Sequence, residues 1–335
     1  MTSIAKSMHA LRVDQPDGDF IATELPLPEP GTAEVLVRIH ASGVNPLDTK
    51  IRAGQAAHAQ QPLPAVLGID MAGVVEQVGA GVTSWQPGDE VYAMAGGIAG
   101  LQGTLAEFIA VDARLLARKP ARLTMREAAA LPLAVITAWE GLVDRAQVKP
   151  GQKVLVQGGA GGVGHVAVQL ARAHGAEVFA TVAAEDFERV RSWGATPIDF
   201  RSETVADYVG RHTAGQGFDI VFDAVGGAVL DASFTAARRY GGHVVSILGW
   251  GTHSLAPLSF RAATYSGVFT LLPLLSGEGR EAHGAILREA AALVDAGLLT
   301  PRLDARRFTL AAAGDAHALV AAGQGQGKVV VDIPV

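Results

Sequence analysis

A glycine-rich turn between a short apolar segment and a helical segment constrains the fold of this chain more than any other feature. Residues 153–157 (KVLVQ) have the length and apolar character of a buried strand, and residues 158–164 (GGAGGVG) follow directly. Gly159, Gly161 and Gly164 have the spacing G-x-G-x-x-G. In this spacing the glycines permit a tight turn, close approach of the backbone to a phosphate, and close contact between helix and strand. The pattern predicts a turn that binds the pyrophosphate of a dinucleotide.

The residues after this turn are predicted to form a helix over 162–174, which ends at Gly175. Unpaired N–H groups at the start of a helix favour a phosphate ligand. An ordinary glycine-rich turn without a ligand is the alternative. The core face of the helix is predicted to carry Val166, Val168, Leu170 and Ala171. The predicted pyrophosphate-binding residues are Gly159, Gly161, Gly162, Val163 and Gly164.

The pattern of predicted secondary structure changes near residue 126. Before it, short alternating segments such as 34–40, 73–79 and 91–94 predict a β-rich region with irregular loops. From residue 153 onward, strands and helices alternate, which is typical of an α/β fold with a parallel sheet. The predicted parallel strands are 154–157, 177–182, 196–200, 219–223, 242–248 and 267–271.

The C-terminal part has a different pattern. Apolar residues at helical spacing predict one helix face, and Gly297 is the predicted end of that helix. Residues 327–333 are predicted to form a strand that returns to the N-terminal β region. The predicted face consists of Ile286, Ala290, Leu293 and Val294.

Length and composition exclude several classes of protein. A chain of 335 residues exceeds what one core usually supports, so two domains are expected. A net charge of -6 gives no electrostatic basis for binding nucleic acid or an anionic membrane. No apolar stretch has the length of a transmembrane helix, and residues 1–7 do not resemble a signal peptide but rather a short lead-in. The absence of cysteine suits a reducing cytosol, so a cytoplasmic protein is expected.

The segment after the second predicted parallel strand bears on which dinucleotide is bound. NAD sites usually have an acid at the end of this strand, but here the first acids are Glu185 and Asp186. The missing acid tolerates a 2′-phosphate, so NADPH is possible. Arg189, Arg191 and Arg201 are the nearby cations that could bind such a phosphate, and solvated surface charges are the alternative for each.

Several further motifs occur together in one superfamily. They are SGVNPLDTK at 42–50, VLGIDMAG at 66–73, LPLA at 131–134, TAWEGL at 137–142, FDAVG at 222–226 and GKVV at 327–330. With these motifs the chain resembles, over nearly its full length, the medium-chain dehydrogenases/reductases, and among them the zinc-independent quinone oxidoreductases and the alkenal/enone oxidoreductases.

This resemblance implies the architecture and the absence of zinc. A GroES-like β-rich catalytic domain would comprise residues 1–125 and 275–335, a Rossmann doubly wound domain would comprise 126–274, and the active site would lie in the cleft between them. Zinc-dependent relatives have a cysteine at Asn45, a His-Glu pair at Ile69-Asp70 and a four-cysteine lobe. An amide and an aliphatic side chain do not replace thiolate and imidazole as zinc ligands. We therefore expect no metal.

The resemblance also implies cofactor contacts and a partner. Asn45, Thr137 and the backbone around Phe269 to Leu271 would hold the nicotinamide end, and Lys328 would border the cofactor. Relatives often form dimers through the last Rossmann strand, here near residues 267–271, so a homodimer is expected. The ribose and adenine side would contact Thr181, Ala224, Val225, Ile247, Leu248 and Gly249.

Three departures from the family pattern leave the cofactor preference open between NADPH and NADH. Enone-reducing relatives often have a serine and a lysine that hold the 2′-phosphate, whereas this chain has Ala183 and Asp186 there. A tyrosine that often lines the same site is replaced by Phe200. An acid near a phosphate dianion is repulsive.

The predicted catalytic residues are Lys50, Asn45 and Asp48. Reduction of an enone places negative charge on the carbonyl oxygen, so a metal-free enzyme needs another fixed electrophile. Lys50 is the candidate because similar enone reductases have lysine there, whereas many quinone-reducing relatives have tyrosine. A solvated or structural lysine, paired with Asp48 or Asp70, is the alternative. Asp48 is expected to orient the turn or the lysine, and Asn45, whose amide does not titrate, to hold cofactor or substrate groups.

The sequence therefore predicts an NAD(P)H-dependent, zinc-independent reductase of quinones or α,β-unsaturated carbonyls. A zinc-free alcohol or aldehyde oxidoreductase, and a non-catalytic cofactor-binding protein of crystallin-like or regulatory type, are the alternatives. The loop 95–103 is glycine-rich and is predicted to be flexible and to border the cleft, with a plain surface loop as the alternative.

Overall fold

The computed structural model describes residues 6–334. Most of the lead-in predicted for residues 1–7 lies outside the described residues, so nothing is concluded about it. Within the described residues, no helix combines the length and the apolar character that crossing a membrane requires.

Sixteen strands are found in the described residues. They are β1 (Ser7–Val13), β2 (Ile21–Pro26), β3 (Glu34–Val44), β4 (Ala65–Val66), β5 (Asp70–Val78), β6 (Glu90–Met94), β7 (Phe108–Asp112), β8 (Ala117–Arg118), β9 (Lys153–Gln157), β10 (Glu177–Val182), β11 (Thr196–Asp199), β12 (Ile220–Asp223), β13 (His243–Ser246), β14 (Thr264–Gly267), β15 (Phe308–Thr309) and β16 (Val329–Asp332).

Eleven α-helices are found in the same residues. They are α1 (Pro46–Arg52), α2 (Met125–Ala129), α3 (Pro132–Trp139), α4 (Gly164–Ala173), α5 (Phe187–Ser192), α6 (Val205–Thr213), α7 (Ala228–Ala236), α8 (Ala256–Ser259), α9 (Leu272–Ser276), α10 (Arg280–Asp295) and α11 (Ala313–Ala321). A π-helical segment, Glu140–Arg145, follows α3.

The chain divides into two compact units. The first unit comprises the described residues up to Leu133, then Leu271–Asp295, and the described residues from Pro301 onward. It contains a three-stranded sheet of order β2-β1-β4 and a seven-stranded sheet of order β15-β16-β3-β5-β6-β8, in which β7 also pairs with β3. The returning C-terminal strand is confirmed, because β16 pairs antiparallel with β3. This unit is the predicted GroES-like β-rich part of the fold.

The second unit comprises Ala134–Thr270 and Ala296–Thr300. Its six-stranded sheet is parallel throughout and has the order β11-β10-β9-β12-β13-β14. The order reverses between β9 and β12, which is the doubly wound arrangement with its switch point beside the first strand. The predicted α/β class and Rossmann sheet are confirmed.

Helix α4 is confirmed with the predicted core face. Val166, Val168, Leu170 and Ala171 are all at most 2% exposed. In α10, three of the four predicted face residues are buried, and Leu293 is half-buried. The 3.6-residue period therefore identified α10, whereas α4 was predicted from the glycine turn before it and from Gly175 after it.

The prediction for the last parallel strand is wrong in position. The strand was expected over 267–271 but is β14, Thr264–Gly267. Its residues are mostly exposed because it is an edge strand, so it lacks the apolar run that marks a central strand. Val268 and Leu271 are buried without forming a strand, and their apolar character produced the shifted prediction.

The loop 95–103 is not a plain surface loop. Ala95 is 4% exposed and Ile98 is fully buried. A Cβ atom at Gly96 would lie 1.8 Å from the carbonyl oxygen of Gln102, and one at Gly103 would lie 2.3 Å from the carbonyl carbon of Leu67. These glycines allow close backbone packing, so their abundance in the sequence does not indicate flexibility.

Candidate active site

In the glycine turn between β9 and α4, the individual glycines have different roles from those predicted. Gly158, with φ of +72°, makes the tight turn that was expected of Gly159. A Cβ atom at Gly159 would lie 2.5 Å from the Cβ of Ala180, so this glycine permits contact with β10. A Cβ atom at Gly164 would lie 2.1 Å from the carbonyl oxygen of Gly158, so the start of α4 must also be glycine.

The tip of this turn presents backbone to solvent. Gly161 and Gly162 are exposed, and α4 begins after Val163 without a side-chain cap. Within residues 6–334, the N–H groups of Gly162 and Val163 donate no hydrogen bond. Free N–H groups at a helix start, next to exposed glycines, suit the pyrophosphate of a dinucleotide.

The predicted ribose contact Thr181 is buried and bonded inside the second unit. Its hydroxyl donates to Oε1 of Gln157 at 2.7 Å and accepts from the N–H of Gly158 at 3.1 Å. The carbonyl oxygen of Thr181 accepts from the N–H of Gly159 at 3.1 Å. Thr181 therefore joins the end of β10 to the glycine turn, a role that the sequence did not reveal.

The turn after β12 reaches the glycine turn. A Cβ atom at Gly158 would lie 2.8 Å from Cγ2 of Val225, and the Val225 side chain is 46% exposed. Asp223 fixes this turn, because its Oδ1 accepts from the N–H groups of Val225 and Gly226 at 3.1 and 3.0 Å. The predicted contacts Ala224 and Val225 thus lie at the same sheet edge as the glycine turn.

Asp223 also connects this turn to the end of β13. Its Oδ2 accepts from the hydroxyl of Ser246 at 2.7 Å, and the same hydroxyl accepts from the N–H of Leu248 at 3.1 Å. Ile247 and Leu248 are half-buried, and Gly249 is exposed. Sequence analysis missed Gln157 and Asp223. A polar residue that ends an otherwise buried parallel strand is the signal that could have identified both.

Each arginine near the predicted 2′-phosphate site forms an ion pair with an acid. Each arginine side chain is at least 44% exposed, and ion pairs of such exposed groups contribute little to stability. A 2′-phosphate would nevertheless compete with a carboxylate for each guanidinium group. The pairs are Arg189–Asp186, Arg191–Glu188 and Arg201–Glu185.

In the first unit, Asn45 and Lys328 bind each other rather than facing solvent. Lys328 Nζ donates to Oδ1 of Asn45, and Asn45 Nδ2 donates to Oδ2 of Asp70 at 2.9 Å. Oδ1 of Asp70 accepts from the N–H of Leu133 at 3.0 Å. All three side chains are at most 5% exposed. We call Asn45, Asp48, Asp70 and Lys328 the buried polar cluster.

Asp48 is the fourth member of the buried polar cluster. Its Oδ2 accepts from the N–H of Asn45 at 2.8 Å, which fixes the start of α1. Burial raises the pKa of Asp48 to about 7 and that of Asp70 to about 6. Burial also lowers the pKa of Lys328, while the charges of Asp70 and Asp48 oppose this shift.

Lys50 lies in the last turn of α1, and its side chain is exposed. Among the described residues it forms no hydrogen bond or ion pair, so neither Asp48 nor Asp70 binds it. The expected pairing with one of these acids is therefore not formed in the described residues, and a solvated lysine stays the alternative to a catalytic one. Its catalytic role stays a prediction.

The remaining predicted cofactor contacts lie in both units. Thr137 and Phe269 belong to the second unit, where Thr137 is buried and Phe269 is half-buried. Leu271 is buried and begins the second segment of the first unit. Their contacts with a cofactor stay predictions.

The positions that bind zinc in zinc-dependent relatives do not suit a metal here. Asn45 Oδ1 accepts from an ammonium group, and Ile69 is fully buried and has no donor atom. Over residues 6–334 there is no group of three or more histidine, cysteine, aspartate or glutamate side chains that could hold a metal ion.

Two family models match the chain. "Alcohol dehydrogenase GroES-like domain" matches residues 31–121, and "Zinc-binding dehydrogenase" matches residues 193–331. The first match falls in the β-rich first unit, and the second covers part of each unit.

Named relatives and a solved structure extend these matches over nearly the whole chain. The "NADPH-dependent alkenal/one oxidoreductase, chloroplastic" of Arabidopsis thaliana is 35% identical over 93% of this chain and 75% of that protein. The human "Quinone oxidoreductase" is 28% identical over 99% of both chains. A crystal structure of "an alcohol dehydrogenase superfamily protein" from Novosphingobium aromaticivorans is 59% identical, with a TM-score of 0.96 over 98% of this chain and 100% of that one.

Proposed function

Because the chain belongs to the medium-chain dehydrogenase/reductase superfamily and is an oxidoreductase, we propose that it reduces quinones or α,β-unsaturated carbonyls with NAD(P)H and without zinc. The observation that carries this proposal is the buried polar cluster. At the positions where zinc-dependent relatives bind their metal, this chain has Asn45, which accepts from the ammonium group of Lys328, and Asp70, which accepts from the amide of Asn45. The names of the relatives support the substrate classes.

The second unit supplies the features that a dinucleotide requires. The exposed Gly161 and Gly162 and the free N–H groups of Gly162 and Val163 would hold the pyrophosphate. Val225, Ile247 and Leu248 border the same sheet edge and would pack against the ribose and adenine. When bound, the nicotinamide supplies a hydride to the substrate.

The first unit supplies the candidate electrophile. Reduction of an enone or a quinone places negative charge on an oxygen atom, and a fixed cation stabilises that charge. Lys50 is exposed and unpaired among the described residues, so its ammonium group is available to a substrate oxygen. The Asp48 bond to the Asn45 N–H fixes the start of the helix that carries Lys50. The proton that completes the reduction would come from water.

The experiment that tests this function follows oxidation of NADPH and of NADH, each with a quinone and with a short enone, after treatment with a chelator. Oxidation with either acceptor, unaffected by the chelator, is the expected result. Loss of activity that added zinc restores would contradict zinc independence. Turnover of alcohols with NAD(P)+ and none of enones or quinones would favour the alcohol-oxidising alternative. The ratio of the two cofactor rates measures whether Asp186 and Glu185 weaken binding of a 2′-phosphate.

Replacing Lys50 with methionine is expected to lower kcat for an enone by about tenfold to a hundredfold, since one charge-stabilising donor is removed. The dissociation constant of the dinucleotide should change less than threefold. Steady-state kinetics and fluorescence titration of the cofactor measure the two effects. The matched control is Lys149→Met, which removes another exposed lysine from a loop. An unchanged kcat in Lys50→Met would eliminate Lys50 as the electrophile.

We also propose a homodimer that joins two copies at the β14 edge. In the described part of the sheet, β14 has one unpaired side, and unpaired strand edges favour pairing with another chain. Tyr265 on this strand is 37% exposed, and Tyr240 and Phe260 nearby are 86% and 85% exposed. Sedimentation at micromolar concentration should give about twice the chain mass, and Tyr265→Lys should lower it toward one. A wild-type chain that sediments as a monomer would refute the dimer.

A cytoplasmic location is the corresponding proposal for the compartment. The complete absence of cysteine suits a reducing compartment, although one relative is named as chloroplastic. Fractionation of the source cells with an antibody to the chain tests the location.

A further inference from the structure

The buried polar cluster contains more acidic than basic groups. Asp48 and Asp70 are at most 1% exposed, and within residues 6–334 Lys328 is the one ammonium group whose charge acts on both. With both carboxyl groups ionised, the cluster would carry a net negative charge away from water. An uncompensated buried charge costs several kcal/mol by an order-of-magnitude argument, so one proton in the cluster is strongly favoured.

The hydrogen bonds distinguish the two carboxyl groups. Each oxygen of Asp70 accepts one bond, from the Leu133 N–H and from Nδ2 of Asn45, and the Asn45 amide connects Asp70 to Lys328. This is the environment of an ionised carboxylate. Asp48 accepts a bond only at Oδ2, and its Oδ1 is buried with no partner among the described residues. The proton therefore belongs on Asp48.

We propose that Asp48 is a positioning residue whose carboxyl group holds a proton in the folded protein and so keeps the start of α1 in place. Loss of that proton would put a second buried negative charge beside Asp70, and the turn from Asn45 to Asp48 would have to move to solvate it. Lys50 lies two residues further along the same helix. The effect on Lys50 depends on the proposed function, whereas the proton on Asp48 does not.

The other charged groups around this turn do not replace the proton. On α1 itself, Arg52 donates to the carbonyl oxygen of Gly18 and lies over the ring of Phe20. Helix α11 packs against α1 and contributes His317, whose pKa is lowered by burial to about 3, so it is neutral. Lys50 points into solvent. Asp70 raises the pKa of Asp48 and Lys328 lowers it, while burial remains the largest cause of its rise to about 7.

The pH dependence of stability has a definite sign. The pKa of Asp48 is higher in the folded chain than its ordinary value of 3.8, so the folded state binds the extra proton between these values. The stabilisation that the Asp48 proton provides is complete below pH 3.8, the ordinary pKa of the group, and is lost as the pH rises through about 7. Asp70 contributes to the pH dependence of stability with the same sign, because its pKa is also raised, to about 6.

The test compares the unfolding temperatures of the wild type, Asp48→Asn and Asp70→Asn from pH 5 to pH 8. The unfolding temperature of the wild type should decrease as the pH rises over this range. Asparagine at 48 resembles a neutral carboxyl group, so in Asp48→Asn this decrease should be smaller, by on the order of 5 °C. Asp70→Asn removes the carboxylate that accepts from Nδ2 of Asn45 and from the Leu133 N–H, and it should unfold at a lower temperature than the wild type at pH 6 and above. An Asp48→Asn variant as unstable at pH 6 as Asp70→Asn would overturn the proposal.

Infrared spectroscopy provides a direct signature of the proton. Protein with 13C-labelled aspartate should show a protonated carboxyl band that disappears as the pH rises from 6 to 9. The band that titrates near 7 should be absent from Asp48→Asn. In Asp70→Asn it should titrate at a lower pH than in the wild type, because the negative charge of Asp70 raises the pKa of Asp48. A wild type without any such band at pH 6 would also overturn the proposal. Neither readout requires a substrate, so failure of the reductase assay would leave this result interpretable.

Discussion

Replacing Lys328 with methionine is expected to lower the free energy of unfolding by roughly 3–5 kcal/mol at pH 7. The substitution keeps the approximate length of the side chain but removes the ammonium group that donates to Asn45 and faces Asp70. Asp70 would then be a buried carboxylate whose compensating charge is gone. Urea denaturation of the wild type and the variant measures the difference.

A double substitution separates the charge effect from lost packing. Lys328→Met combined with Asp70→Asn removes both charges and should be more stable than Lys328→Met alone, because neither group is left uncompensated. Lys149→Met removes an exposed lysine and should change stability by less than about 0.5 kcal/mol. If Lys328→Met behaved like Lys149→Met, the buried polar cluster would not stabilise the first unit.

Replacing Gly164 with alanine is expected to weaken dinucleotide binding by about tenfold or more, equivalent to at least about 1.4 kcal/mol. The new Cβ would lie 2.1 Å from the carbonyl oxygen of Gly158, so the backbone of the turn or the start of α4 must move. Overpacking of this kind also costs about 1–3 kcal/mol of stability. Isothermal titration with NADPH and NADH measures the loss of affinity.

The matched control for this substitution is Gly210→Ala, in the same unit. Gly210 lies within α6, and a Cβ atom there would meet nothing within 4 Å. Alanine should leave dinucleotide affinity unchanged and raise stability by up to about 1 kcal/mol, because alanine is the better helix former. Wild-type affinity in Gly164→Ala would show that the close packing at Gly158 is not required for binding.

Much of the fold was predictable because periodicity reports local burial. The apolar period identified α10, the glycine turn and Gly175 bounded α4, and the alternation of strands and helices predicted the parallel sheet. The strand prediction failed where exposed residues form a strand and buried residues do not. The edge strand β14 is polar and exposed, whereas the apolar residues Val268 and Leu271 are buried without forming a strand.

The sequence located the glycine turn in the fold, and dinucleotide binding there stays a prediction. It did not reveal side chains that act through long-range contacts. The G-x-G-x-x-G spacing located the turn, but the positive φ lies at Gly158 and the unpaired N–H groups at Gly162 and Val163. Asp223 was missed because its role depends on Ser246, which is 23 residues away and reaches it only through the parallel sheet.

The sequence by itself determined the α/β class, the glycine turn and the lack of cysteine, because each depends on residue type and local spacing. Only the tertiary structure decided the partners of the buried polar cluster. Lys328 and Asn45 are 283 residues apart in sequence, and the pairing of β16 with β3 brings them together. Burial of Asp48 in the same cluster raises its pKa, and no local pattern carries that information because burial is a property of the folded chain.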